Sequence, residues 1–183
     1  AMQKIKDKIK QAQKTLSSEL NRTNPWSLPR LVKVVVSSGT GKAKDKKRNE
    51  LVADRLAKIT GQRASERGAK KSIASFKVRQ GDIVGYAVTL RGQMMNDFLD
   101  RLLNVAIPRL RDFKGFDEKI VDQMGNLTIG IKEHVVFPET ADEDIRDVFG
   151  LAITINTTAR QRGEALAFFR SIGFPFKKTS ARK

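Results

Sequence analysis

Leu127-Thr128-Ile129-Gly130-Ile131-Lys132 and Leu151-Ala152-Ile153-Thr154-Ile155-Asn156 decide the fold. In both, a large aliphatic residue stands at every second position, with small or polar residues between. An extended chain sends successive side chains to opposite faces, so each stretch is a strand with one apolar and one polar face. Such half-buried strands belong to antiparallel sheets that cover a core on one side only. Two further segments, Leu31–Ser37 (LVKVVVS) and Ile83–Leu90 (IVGYAVTL), are rich in β-branched residues and read as strands. Phe76 and Val78 alternate with Lys77 and Arg79, which makes 76–79 the expected hairpin partner of the 83–90 strand, turning at Gln80-Gly81-Asp82.

Between the strands the apolar period changes. Ile5, Ile9, Leu16 and Leu20 punctuate a basic stretch over 3–20, which is expected to be helical until Asn24-Pro25-Trp26-Ser27-Leu28-Pro29 breaks it. Leu51, Val52, Leu56 and Ile59 mark a helix stopped by Gly61, and Met94, Phe98, Leu102 and Val105 one that ends before Pro108. Ala165, Phe168, Phe169 and Ile172 mark a last helix, with Gly173 after it. The order predicts an α+β fold: an antiparallel sheet with helices on one face, and the other face left open to a partner. Residues 1–23 are expected to be a basic N-terminal helix, 24–176 a single domain, and 177–183 a basic tail.

Of 183 residues, 36 are Lys or Arg and 20 are Asp or Glu, a net charge of +16. A body with that excess needs an anionic partner, and nucleic acid is the foremost candidate. The absence of cysteine rules out a disulfide framework and cysteine-ligated zinc. No stretch approaches the ~18 apolar residues of a membrane-spanning helix, and the N-terminal segment lacks the apolar centre of a signal peptide. A cytoplasmic protein is expected.

Catalytic chemistry finds little footing. With one histidine, His134, and no cysteine, nucleophilic dyads have no support, and a lone histidine beside Val135 and Val136 is expected to be structural. No carboxylate spacing marks a metal site, and neither a metal nor a cofactor is expected. Ser38-Gly39-Thr40-Gly41-Lys42 follows a strand as a nucleotide-binding loop would. However, Val36 stands where the first glycine should be, and Ala43 where a Ser or Thr should follow the lysine. What survives is a glycine turn with Lys42 and further basic residues after it, a pattern suited to phosphate contact.

Arg67–Gly81 (RGAKKSIASFKVRQG) holds five basic residues and no acid, with small residues among them. Such a loop can lie close against a ribose-phosphate backbone, where Arg and Lys supply affinity independent of sequence. Phe76 and Tyr86 are the aromatics near it; stacking on a base and burial are both open to them. Residues 139–147 (ETADEDIRD) reverse the sign, and suit either solvent or a basic protein partner.

From Asn24 to Phe176 the chain resembles the bacterial ribosomal L-five proteins, the 5S rRNA-binding components of the large subunit's central protuberance. The residues that carry the resemblance are Pro29-Arg30-Leu31 leading into Lys33-Val34-Val35, then Ile59-Thr60-Gly61-Gln62 and Ala69-Lys70-Lys71-Ser72-Ile73-Ala74 with Phe76-Lys77 and Arg79. They continue with Val88-Thr89-Leu90-Arg91-Gly92, Phe98-Leu99-Asp100-Arg101-Leu102, Pro108-Arg109 with Arg111-Asp112-Phe113, Gly125-Asn126, and Phe137-Pro138-Glu139. The resemblance implies that Lys33, Ser37, Gly39, Gly41, Lys42, Gln62, Thr89 and Arg91 face 5S rRNA, beside neighbouring 23S rRNA. It implies that a loop with Lys70, Lys71, Ser72, Ser75, Lys77 and Arg79 reaches P-site tRNA. It further implies that Arg109, Arg111, Glu139, Asp142, Glu143 and Asp144 meet a basic small-subunit head protein in an inter-subunit bridge, among other central-protuberance proteins. One departure stands out: Ser37-Ser38 occupies a place where the family usually has Asn and a hydrophobic residue, and Lys42 one where many members carry an acid. Two other classes stay open on composition alone: a DNA-binding architectural protein, and a peripheral membrane protein using 3–20. No recognition-helix signature supports the first, and a helix with no aromatic and few large apolar residues is poorly suited to the second.

Overall fold

Alternate residues of Leu31–Gly39, Leu127–Ile131 and Leu151–Thr157 are buried, and that alternation places the four α-helices of the described residues. The computed structural model describes residues 4–41, 46–140 and 148–177. Five strands, β1 (Leu31–Gly39), β2 (Ser65–Gly68), β3 (Ile83–Leu90), β4 (Leu127–Ile131) and β5 (Leu151–Thr157), form one sheet in the order β2-β3-β1-β5-β4. Every pairing in it is antiparallel. The register aligns apolar rows across the sheet: Leu90, Val34, Ile155 and Leu127 in one, and Val88, Val36, Ile153 and Ile129 in the next. All eight belong to the hydrophobic core. Each is worth roughly 1.5–3 kcal/mol when fully buried, so this face must be the covered one.

The helices α1 (Ile5–Glu19), α2 (Lys46–Thr60), α3 (Gly92–Arg101) and α4 (Arg162–Ser171) supply the rest of that core through Ile5, Leu16, Leu56, Ile59, Phe98, Leu99, Phe168 and Phe169. The basic N-terminal helix is therefore part of the packed body; its Ile5 N–H donates to Asp100 Oδ1 at 2.6 Å. The expected α+β architecture, with helices on one side of an antiparallel sheet, is the one observed.

Three details differ from expectation. The hairpin partner of β3 is Ser65–Gly68, not 76–79. β1 runs on through Ser38 and Gly39, which pair with Tyr86 and Gly85. In α3 the buried stripe is Met95, Phe98, Leu99 and Leu102, while Met94 is exposed. The α-helix ends at Arg101, ahead of Pro108, but the coil continues as a wide turn over Leu102–Ala106 and a tight one over Ile107–Arg109. Pro108 is tolerated there because it stands in the first turn of a short helix, where its missing N–H is not needed.

Candidate nucleic-acid interface

Among the described residues, no helix packs on the opposite face of the sheet. Its outward positions, read off the register, are Ser65 and Arg67 on β2, Gly85, Ala87 and Thr89 on β3, and Lys33, Val35, Ser37 and Gly39 on β1. They continue with Ala152, Thr154 and Asn156 on β5 and Thr128 and Gly130 on β4. None of these side chains is acidic, and only Val35 is a large aliphatic. The centre is a plane of methyls, hydroxyls and bare backbone. Thr128 and Thr154 share a hydroxyl hydrogen bond at 3.2 Å, and Asn156 Nδ2 donates to Asn126 Oδ1 at 3.0 Å, so the polar groups are held in fixed positions.

Positive charge gathers at the two ends of this plane. At one end stand Lys33 and Arg91, the latter exposed just beyond β3. Extending the β2–β3 register backwards sets Gln62 and Arg63, both exposed, beside Thr89 and Leu90 at the same end. Thus Lys33, Ser37, Gly39, Thr89 and Arg91 share one surface, although they are far apart in sequence. The register sets Gln62 opposite the inward-facing Leu90, so it is exposed at the margin of that surface and not on it. Gly41 is exposed just past β1; Lys42 lies outside the described residues. The Ser37-Ser38 pair divides its labour: Ser37 faces outward, while the buried Ser38 donates from Oγ to the Gly150 carbonyl at 2.7 Å.

At the other end, the chain between β2 and β3 leaves as a long arm. Ala69 and Gly81–Asp82 extend the ladder through Ala69 N–H to Asp82 O at 2.8 Å and Gly81 N–H to Ala69 O at 3.0 Å. An isolated Ile73–Val78 bridge then closes the tip over Ala74–Lys77. Lys77 takes a left-handed backbone (φ 51°) to complete the turn. Lys70, Lys71, Ser72, Ser75, Lys77 and Arg79 are all exposed along this arm. Phe76 crowns the tip with 72% of its surface accessible, whereas Tyr86 is 5% exposed in the core and is not available for stacking.

Glu139 is drawn inward, ion-paired to Arg101, whose other guanidinium nitrogen donates to the Ile59 carbonyl at 3.0 Å. Arg109 and Arg111 are exposed on a separate 600 Å³ cleft with Phe113, Lys132 and Glu133. Asp142, Glu143 and Asp144 lie outside the described residues. His134 is buried, stacked on Phe149 with ring centroids 4.2 Å apart, and its Nδ1 accepts the Phe149 N–H at 3.4 Å. That is a packing role. Among the described residues no group of His, Asp and Glu could hold a metal ion, and no helix is long and apolar enough to cross a membrane.

Trp26 carries no functional signal in the sequence, and Arg30 enters there only as part of the family resemblance. The Asn-Pro-Trp run reads as a helix breaker, and only the exposure of its indole, at 76%, marks it as more.

This geometry has close relatives. Residues 24–79 match the family Ribosomal protein L5, and 83–176 match the C-terminal part of the same family. The large ribosomal subunit protein uL5 of Anaeromyxobacter sp. (strain K) is 45% identical over 170 residues, 92% of this chain and 94% of its own. Its counterpart in Synechococcus sp. (strain RCC307) is 45% identical over 175 residues, covering 94% and 98%. That of Ureaplasma parvum serovar 3 is 43% identical over 171 residues, 93% of each chain. The chain belongs to the ribosomal protein L5 family, and is a structural, RNA-associated constituent of the large ribosomal subunit, not an enzyme.

Proposed function

We propose that the chain binds 5S rRNA across the open face of its sheet and helps seat it in the central protuberance, beside neighbouring 23S rRNA. The observation that carries this reading is the face itself: small and hydroxylated at its centre, free of acids, and flanked by cations at both ends. An A-form helix offers a wide, shallow minor groove lined with 2′-hydroxyls. Ser37, Thr89, Thr128, Thr154 and Asn156 provide short donors and acceptors at the level of such a surface. Lys33, Arg63 and Arg91 stand where phosphates at its edge would lie.

The exposed arm with Lys70, Lys71, Lys77 and Arg79 extends away from this plane and is the part suited to P-site tRNA. Arg109, Arg111 and the acidic 139–147 segment are assigned to a basic small-subunit head protein.

The test is binding of the purified chain to 5S rRNA across a salt series, with tRNA and duplex DNA as competitors. Binding that persists near 150 mM salt and resists both competitors is expected, with log affinity falling by about 0.7 to 0.9 per neutralised phosphate against log salt. Displacement by any polyanion would leave only a general basic surface, and equal competition by DNA would favour an architectural DNA-binding protein.

A further inference from the structure

Trp26 is the only tryptophan of the chain, and among the described residues it is the most exposed of the large hydrophobics at 76%. A ring of that size is normally buried or covered by something. It is also not loose. Asn24 Oδ1 accepts the Trp26 N–H at 2.9 Å, and the Asn24 carbonyl accepts from both the N–H and the hydroxyl of Ser27. Pro25 fixes the first position of the Pro25–Ser27 turn, and Leu28 anchors its far end in the core. Arg22 braces the turn from the side, donating to the Ser27 carbonyl at 2.8 Å while pairing with Glu164. The ring is thus held out on a pre-ordered turn, and little conformational entropy is left to lose on contact.

Its surroundings select the partner. The Arg30 guanidinium lies 5.1 Å from the ring centroid. Arg30 itself extends the β1–β5 ladder by one more pair, with its N–H on Thr158 Oγ1 at 3.1 Å and its carbonyl accepting the Thr158 N–H at 3.0 Å. Arg30 therefore stands at the Lys33 end of the sheet, and the indole beside it lines a cleft at that end whose other walls include Thr158, Arg22 and Glu164. The cleft, which Arg160 also lines, has a volume of 370 Å³. The one carboxylate there, Glu164, is already paired to Arg22, so Arg30 and Arg160 leave the cleft cationic. An aromatic face beside cations at the edge of a phosphate-binding plane fits a base and its phosphate. It does not fit a basic or purely apolar protein segment.

We propose that Trp26, Arg30 and Arg160 form a stacking subsite for one unstacked nucleotide of the rRNA held on the adjoining sheet face. The base lies on the free face of the indole, and the phosphate meets the two guanidinium groups. This rests on the rRNA-binding reading above, and adds a readout of an unpaired base to a surface that otherwise meets backbone.

Because the tryptophan is unique, its emission reports the contact directly. The full chain is titrated with bacterial 5S rRNA at 150 mM salt, following indole emission and, independently, the anisotropy of labelled RNA. Saturable quenching with the same midpoint as the anisotropy is expected. Trp26→Ala should weaken binding by roughly 5- to 150-fold, the range for losing one base–aromatic stack, with an unchanged melting temperature. Trp26→Phe should recover most of the loss. RNA binding with unaltered emission and wild-type affinity in Trp26→Ala would overturn the subsite and point to a protein cover for the ring. A wild-type chain that shows no anisotropy change would overturn the functional reading itself, and the subsite with it.

Discussion

Replacing Ala152 with leucine would separate the shape of the interface from its charge. Ala152 points outward from β5, between Ser37 on β1 and Gly130 on β4. Its methyl is part of the plane at sheet level, and beside it a Cβ built on Gly130 would meet nothing within 4 Å. A leucine there would stand above the plane without entering the core, so the fold should be affected by no more than about 0.5 kcal/mol. In a chain of this length that is a melting-temperature change of about 1–2 °C. For RNA lying over the sheet centre the effect is larger. The raised side chain would hold the backbone away from Ser37 Oγ and the Thr128–Thr154 hydroxyl pair. Each neutral hydrogen bond is worth about 0.5–1.5 kcal/mol net, so two or three lost contacts amount to about 1–4.5 kcal/mol, a weakening from roughly five-fold to roughly two-thousand-fold.

The assay is anisotropy of labelled 5S rRNA at several salt concentrations, with thermal melting as the check on folding. The slope of log affinity against log salt should stay unchanged in Ala152→Leu, because Lys33 and Arg91 at the end of the face still reach their phosphates. Lys33→Ala should do the reverse, losing about 0.7 to 0.9 of slope for each phosphate contact it made. A folded Ala152→Leu protein with wild-type affinity would mean that RNA does not cover the centre of the sheet. A reduced slope in that variant would mean that the centre and the ends are not separate contributions.

Gly125→Ala tests the fold: Gly125 has φ +79°, and a Cβ there would lie 2.8 Å from Ala159 Cβ and 3.0 Å from its carbonyl oxygen. A loss of about 1–3 kcal/mol in urea unfolding is expected, and an unchanged midpoint would show that the turn relaxes freely. Tyr86, the one tyrosine, has its phenol held above the ordinary value by burial first and then by the carboxylates of Glu66 and Glu50. Its contribution to stability is therefore full below about pH 10, the unperturbed phenol value, and is lost as pH rises through the folded value. Ultraviolet titration should place phenolate formation at higher pH in the native protein than in urea, and coincident curves would refute this. Replacing Lys70, Lys71, Lys77 and Arg79 together with alanine should leave melting and 5S rRNA binding intact, while weakening tRNA contact on assembled ribosomes. A collapse of 5S rRNA affinity would move the arm onto the rRNA surface.

The strands that bury one face could be read directly, because burial imposes a period of two on Leu127–Ile131 and Leu151–Asn156. β2 could not. Ser65, Glu66, Arg67 and Gly68 are all exposed, and nothing in their order distinguishes a strand from a polar loop. They are a strand because the free edge of β3 offers Tyr86, Ala87 and Gly85 as backbone partners. The Phe76/Val78 alternation, by contrast, has the right period and no sheet beside it. Phase was the difficulty in α3: the stripe through Phe98 and Leu102 admits either Met94 or Met95, and only the packing of α3 against β1 and α1 selects Met95. The residues proposed to face RNA came only from family resemblance, and nothing in the sequence shows that some of them adjoin, since Lys33, Thr89 and Arg91 come together only once β1 and β3 are in register. Trp26 carried no periodic signal at all.

The same topology explains why the cations stand at the ends of the sheet and not in its middle. Side chains on neighbouring outward positions of a sheet lie close together, so lysines at Ser37, Ala87 and Ala152 would repel one another across the strands. They would also hold a nucleic-acid backbone at the length of an extended side chain, beyond reach of the hydroxyls. Small residues in the middle would let RNA settle onto the plane, as the proposed function requires. Where strands give way to turns, at Arg30, Arg63 and Arg91 on one side and Arg67 and the arm on the other, long side chains diverge and can reach phosphates without crowding. A net charge of +16 could have been spread evenly over the surface. An acid-free plane of mostly small residues between two cationic ends would favour one orientation of a rigid nucleic-acid helix, and it leaves the four described α-helices to pack on the other side.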